Sequence, residues 1–199
     1  MEEQLNLFGA PTPSKKERTT TTPASAVKKE EPAVTAEKPA KKDKLIVLHV
    51  FVDGAARGNP GPSGAGIYIT TQDRVPLIKK GYYLRHKTNN QAEYLAFILA
   101  CLHVLELIKH EPDTRIVFHS DSQLLVRQIQ GIYKVKNETL IGLNHLAHKL
   151  LRSMLYTITH VDRESNTHAD KLANLGIDKR GKISQAMACA LEAHGVTID

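Results

Sequence analysis

The chain has 199 residues, 41% of them hydrophobic, with 27 Lys and Arg against 21 Asp and Glu and a net charge of +6. That is enough for one ordinary domain plus extra segments, and no apolar run is long enough to span a bilayer as a helix. The basic balance suits a polyanionic partner, and Cys101 and Cys189, in apolar helical-looking surroundings, read as packed thiols of a reducing compartment, not a disulfide framework.

In chain order, "MEEQLNLFG" is acidic and lacks the basic-then-apolar layout of a signal peptide, which predicts a cytoplasmic protein with no membrane partner. Residues 9 to 43 hold Pro, Thr, Ala, Lys and Glu and no aromatic residue. Such a composition cannot bury enough apolar surface to offset the entropy of ordering, so residues 1–43 are expected to form a disordered tail. Only its tip, "QLNLF" at 4–8, is apolar enough to stand out.

From residue 44 the pattern turns globular, and a domain is expected over 44–180. "LIVLHVFVD" reads as a central strand ending at Asp53, followed by a loop rich in glycine and proline. "GAGIYITT" and "PLIKKGYYL" read as an antiparallel meander. A long helix follows from Asn89 to Lys109. Its apolar residues lie on nearly every side, with Tyr94, Ile98, Cys101, Leu105 and Ile108 on one stripe and Leu95, Leu99 and Leu102 on another. Next come a strand, "TRIVFHSD", a helix ended by Gly131, a second helix, "ETLIGLNHLAHKLLRSM", a last strand, "YTITHV", and a helix, "THADKLANLGID". A short amphipathic helix over 183–194 belongs to a C-terminal extension, 181–199, and could cap the sheet or dock on a partner. Strands first, then alternation of strand and helix, predict a mixed α/β sheet flanked by helices.

Four acids take related positions in this scheme. Asp53 and Asp121 end strands one and four. Glu93 and Asp170 fall in the first turns of the helices that follow. Acids are welcome in first turns because of the helix dipole, and Asp121 could be an ordinary cap. Asp53 has no such excuse at the end of an apolar strand. Carboxylates packed together repel unless a cation neutralises them, and oxygen donors without thiolates suit Mg²⁺ or Mn²⁺. Two such ions about 4 Å apart serve phosphodiester hydrolysis.

"VDGAARGNPGPSGAG", "TNNQAE", "SDSQL" and "RESNTHADKLAN" together resemble type 1 ribonuclease H over roughly residues 46 to 178. The resemblance implies a five-stranded mixed sheet and endonucleolytic cutting of the RNA strand of RNA–DNA hybrids, leaving 3′-hydroxyl and 5′-phosphate ends. It implies that Asp53, Glu93, Asp121 and Asp170 are the catalytic, metal-binding acids for two Mg²⁺ or Mn²⁺ ions. Asn59, Asn89 and Asn90 match residues that touch RNA near the 2′-hydroxyls, where Asn offers both donor and acceptor, and the nearby glycines would let backbone approach the duplex. Thr88 matches a position that binds a DNA phosphate. An Arg often found two residues before it is His86 here, between Arg85 and Lys87. Many relatives carry a His in a glycine-rich loop before the last acid. Here that connection is short, leaving His160, His168, Arg163 and Glu164 as candidates. A basic, Trp-containing protrusion is missing, and Lys134 and Lys136 remain in its place. Gln4, Leu5, Leu7 and Phe8 resemble the bacterial sliding-clamp-binding peptide, which implies a clamp partner and a nucleoid-associated location. The alternatives are a non-catalytic hybrid-binding or clamp-associated adaptor, and a related-fold nuclease with other DNA targets.

Overall fold

A computed structural model describes residues 46–111 and 113–198, so the segment 4–8 lies outside the described residues. Five strands form one sheet in the order β3-β2-β1-β4-β5: β1 is Val47–Ala56, β2 Gly61–Thr71, β3 Pro76–Lys87, β4 Arg115–Ser120 and β5 Leu155–His160. The first three strands are antiparallel, and β4 and β5 join in parallel to β1 and to each other. The mixed architecture is the expected one.

Strand alternation divides the sheet's faces. Leu48, Val50 and Val52 of β1, with Ala65, Ile67, Ile69, Ile116 and Phe118, are buried on one face. Against that face lies α1, Asn89–Leu107, and beyond it α3, Glu138–Leu151. α1 starts sharply because Thr88 and Gln91 form a capping box: the Thr88 oxygen accepts from the Gln91 N–H, and the Gln91 side chain accepts from the Thr88 N–H. Its residues from Ala92 to Cys101 are all buried, as the all-round apolar pattern requires. The buried Tyr94 hydroxyl donates to Gln128 of α2, Gln123–Ile129, and accepts from Asn144 of α3, tying the three helices together.

On the opposite face α4, Thr167–Lys179, covers β2 and β3. It can do so only because the strand positions beneath it are glycines. A Cβ on Gly66 would overlap the carbonyl of Ala169, and one on Gly64 the carbonyl of Ala173. Gly64 and Gly66, expected at the start of a strand, thus make room for the protein's own helix.

Other expectations need correction. β1 does not end at Asp53: three small residues continue it to Ala56, paired with β2 through Ala56 and Ser63. The glycine-rich loop shrinks to a turn around Arg57–Pro60, because Gly61 already begins β2. Glu93 is the fifth residue of α1, not a first-turn residue, since Thr88 fixes the start at Asn89. Ser122, not Asp121, caps α2. Cys101 is buried but Cys189 is exposed on α5, Gln185–Glu192; both thiols are free. Leu191 of α5 is buried, and Ile183, Met187, Val196 and Ile198 pack against the core around it.

Candidate active site

The parallel β1–β4 ladder ends at Val52 opposite Ser120, so Asp53 and Asp121 leave adjacent strands side by side. Asp53 is still held in the β1–β2 ladder opposite Gly66 and is 6% exposed. Gly54 explains how Glu93 reaches it. A Cβ there would collide with the Ala92–Glu93 backbone, so glycine lets α1 descend onto the strand. The Gly54 N–H then donates to the Glu93 carboxylate at 3.2 Å. Glu93 is as buried as Asp53. Asp170, in the first turn of α4, is exposed, and its carboxylate accepts from Asn174 one turn on.

Electrostatics join these groups. Burial, then the charges of Asp121 and Asp170, raise the Asp53 carboxyl from 3.8 to about 7. Burial, then Asp53 and Asp121, lift Glu93 well above the ordinary carboxylate range. The guanidinium of Arg163 opposes both shifts, from a side chain that is 94% exposed and 3.6 Å from Asp121. Such a highly hydrated cation cannot offset the whole surplus of negative charge.

Sequence reasoning missed Asn166. It occupies the N-cap position of α4 but does not cap it. Buried to 1% exposure, it donates instead to Asp121 at 2.8 Å and to the carbonyl of Val52 at 2.9 Å. One amide therefore locks α4, Asp121 and the point where β1 stops pairing with β4 together. Among the described residues its own oxygen is buried without a partner. The only signal in the sequence was an Asn just before "THAD", where a cap is the ordinary reading.

Among the described residues no three acid, histidine or cysteine side chains enclose a single ion as they stand. The donor set nonetheless fits a hard divalent cation: four carboxylates, two of them buried and in electrostatic conflict, with an orphaned amide oxygen beside Asp121. Asp121 and Asp170 line one cleft with Arg163, Glu164 and Thr167. His160 contacts the Asp121 carbonyl at 3.2 Å, whereas His168 stacks on Tyr68 and lines a different cavity.

The candidate hybrid-contacting residues form a shelf at the start of α1. Asn59 accepts from the Asn89 N–H at 2.9 Å, tying the β1–β2 turn to the helix, while Asn89 and Asn90 are exposed. The Asn59 and Thr88 oxygens are thus both committed to α1, leaving the Asn59 amide nitrogen and the Thr88 hydroxyl proton for a ligand.

Residues 51–176 match the family model described as reverse transcriptase-like, a span that holds all four acids. Ribonuclease H of Aromatoleum aromaticum is 32% identical over 156 residues, which cover 71% of this chain and 97% of that protein. The chain belongs to the type 1 ribonuclease H family. Ribonuclease HI of Halobacterium salinarum is 36% identical over 132 residues, and the chain spans 64% of that relative, just under two thirds. The ribonuclease H fold recurs in the crystal structure of LC11-RNase H1 in complex with RNA/DNA hybrid, with a TM-score of 0.63 and 37% identity over 67% of this chain and 97% of that one.

Proposed function

We propose that the protein is an endoribonuclease that hydrolyses the RNA strand of RNA–DNA hybrids, with two divalent ions, Mg²⁺ or Mn²⁺, held by Asp53, Glu93, Asp121 and Asp170. The observation that carries this reading is the surplus of carboxylate charge around Asp53, raised to about 7 by burial and by Asp121 and Asp170. Membership of the ribonuclease H family and likeness to a relative crystallised with RNA/DNA hybrid support it. When bound, divalent ions supply charge neutralisation, water activation and stabilisation of the leaving oxygen.

The chain's own residues do the positioning. Asn166 and Arg163 steady Asp121, and the Gly54 N–H steadies Glu93. The Asn59 amide nitrogen, with Asn89 and Asn90, offers donors and acceptors to 2′-hydroxyls, the groups that distinguish RNA from DNA in a minor groove. The Thr88 hydroxyl donates to a phosphate oxygen of the DNA strand. Attack by water with the 3′ oxygen leaving yields 3′-hydroxyl and 5′-phosphate ends. Arg163 and Glu164, on the cleft beside Asp121 and Asp170, stand in for the product-release His of relatives. Gln4, Leu5, Leu7 and Phe8 tether the enzyme to a cytoplasmic, nucleoid-associated sliding clamp, raising its local concentration to roughly millimolar. Replacing Leu7 and Phe8 with Ala should abolish clamp binding in solution, and unchanged binding contradicts the tether.

The test of the activity is incubation of labelled hybrid, duplex DNA and duplex RNA with Mg²⁺ or Mn²⁺, beside Asp53→Asn. Cutting confined to the RNA of the hybrid, and lost in the variant, is expected. Equal cutting of all three substrates, or activity that survives in Asp53→Asn, contradicts it. Binding of hybrid without cutting supports the adaptor.

A further inference from the structure

A second charged region lies on the far side of β3, partly outside the span shared with the family. Between β3 and the C-terminal segment runs a cleft of about 420 Å³, rimmed by Arg85, Arg180 and Lys182 and walled by Tyr83. Among the described residues none of these three cations has an acid within ion-pair distance, although Glu192 also lines the cleft. Arg57, by contrast, is paired to Asp178 at 2.7 Å. Cations gathered without counter-charges repel one another, and an anion is the natural relief.

Local backbone geometry aims these side chains. The β2–β3 register shifts between Pro62 and Gly64, so β3 bulges opposite Ser63, and Arg85 takes a left-handed φ of 63°. Bulges re-aim side chains, and the Ser63 hydroxyl pins this one by donating to the Arg85 carbonyl at 2.9 Å. Arg180, at the C-cap of α4, is also left-handed, with φ of 50°, and its guanidinium rests on the Tyr83 ring at 4.6 Å. Gly or Asn adopts that backbone at less cost than Arg. The loop is further fixed by the Tyr83 N–H donating to the Gly181 carbonyl at 2.8 Å. Arg85 precedes Thr88 by three residues of extended chain, roughly 10 Å. The cleft therefore continues the shelf of Thr88, Asn59 and Asn89 away from the acids.

Resting on the hybrid reading above, we propose that Arg85, Arg180 and Lys182 form a second phosphodiester-binding site that grips the nucleic-acid backbone beyond the Asn59–Thr88 shelf. It supplies backbone affinity that lysines of the short Gly131–Asn137 connection offer only sparsely. It also assigns a role to the residues after 176, which frame one side of the cleft.

The test is hybrid affinity of the full chain across a salt series, in EDTA to prevent cutting. The variant is Arg85→Gly/Arg180→Gly/Lys182→Ala, in which glycine keeps both left-handed positions unstrained. The slope of log K against log salt falls by about 0.9 for each phosphate that is no longer neutralised, so the triple variant should be shallower by about two to three. Should the triple variant fail to melt cooperatively, Lys182→Glu alone, on an exposed side chain, should lower the slope by about one. A folded variant with the wild-type slope overturns this site. If that wild type still cleaves hybrid, the catalytic reading stands without it. A wild type that neither binds nor cleaves hybrid overturns both.

Discussion

The acids and the asparagine shelf lie close in the fold but in opposite physical states. Around Asp53 and Glu93 the chain buries like charges that it does not neutralise. Around Asn59 and Thr88 almost every polar group is exposed or already answered: Asn59 by Asn89, Thr88 by Gln91. The first region holds a charge conflict that a cation would relieve. The second is complete by itself and offers a partner only its spare donors. In the proposed function, frustration marks the chemistry, and internal satisfaction marks the rigid surface that would present substrate to it.

The largest expected effect comes from breaking the first region. Asp121→Asn removes a charge but keeps the hydrogen-bonding shape, and kcat on hybrid should fall roughly 10³-fold, the several kcal/mol that charge stabilisation supplies. Hybrid affinity in EDTA should not weaken, because a repelling charge has gone; single-turnover kinetics beside a binding assay separate the two. Next is the glycine contact that seats α4. Gly66→Ala forces a Cβ into the Ala169 carbonyl and should cost about 3 kcal/mol or more, read by denaturant unfolding.

Titration sharpens the comparison. Asp53 titrates at about 7 in the folded protein against 3.8 in the reference state, so between those values the folded state holds the extra proton. Stability is then lost as pH rises through that window and stays lost above it. In EDTA, Asp53→Asn should therefore match wild type near pH 4 and melt higher at pH 8. The gain should be on the order of a few kcal/mol at most, because the neighbouring acids titrate together. Equal melting at both pH values would show that Asp53 is not under strain. The smallest effect belongs to the shelf. Asn59→Ala removes one hydrogen bond to the start of α1 and should cost about 1 kcal/mol of stability. It should also narrow the preference for hybrid over duplex DNA in competition binding.

Much of the fold was legible because strands and helices here obey their periods. The 89–107 segment, apolar on nearly every side, had to be a covered helix, and "KLIVLHVFV" had to be central. What was illegible depends on pairing between distant segments. Small residues after Asp53 have little strand preference of their own, and β2 makes them strand. Gly61 read as loop because nothing local says that it pairs with Lys87 of β3, and nothing local says that α4 will lie on Gly64 and Gly66. The start at Asn89 was read correctly, but Glu93, the fifth residue, already lies just past the first turn of 3.6 residues. Asn166 and the bulge at Arg85 are invisible to local pattern, since each gets its meaning from a partner dozens of residues away or from strand register.

The most direct measurement of the central claim is calorimetric titration of Mn²⁺ into the metal-free protein, with Asp53→Asn and Asp121→Asn alongside. The wild type should bind the ion at neutral pH, and each substitution should weaken that binding at least tenfold. Identical isotherms for all three proteins would mean that these carboxylates do not hold the cation.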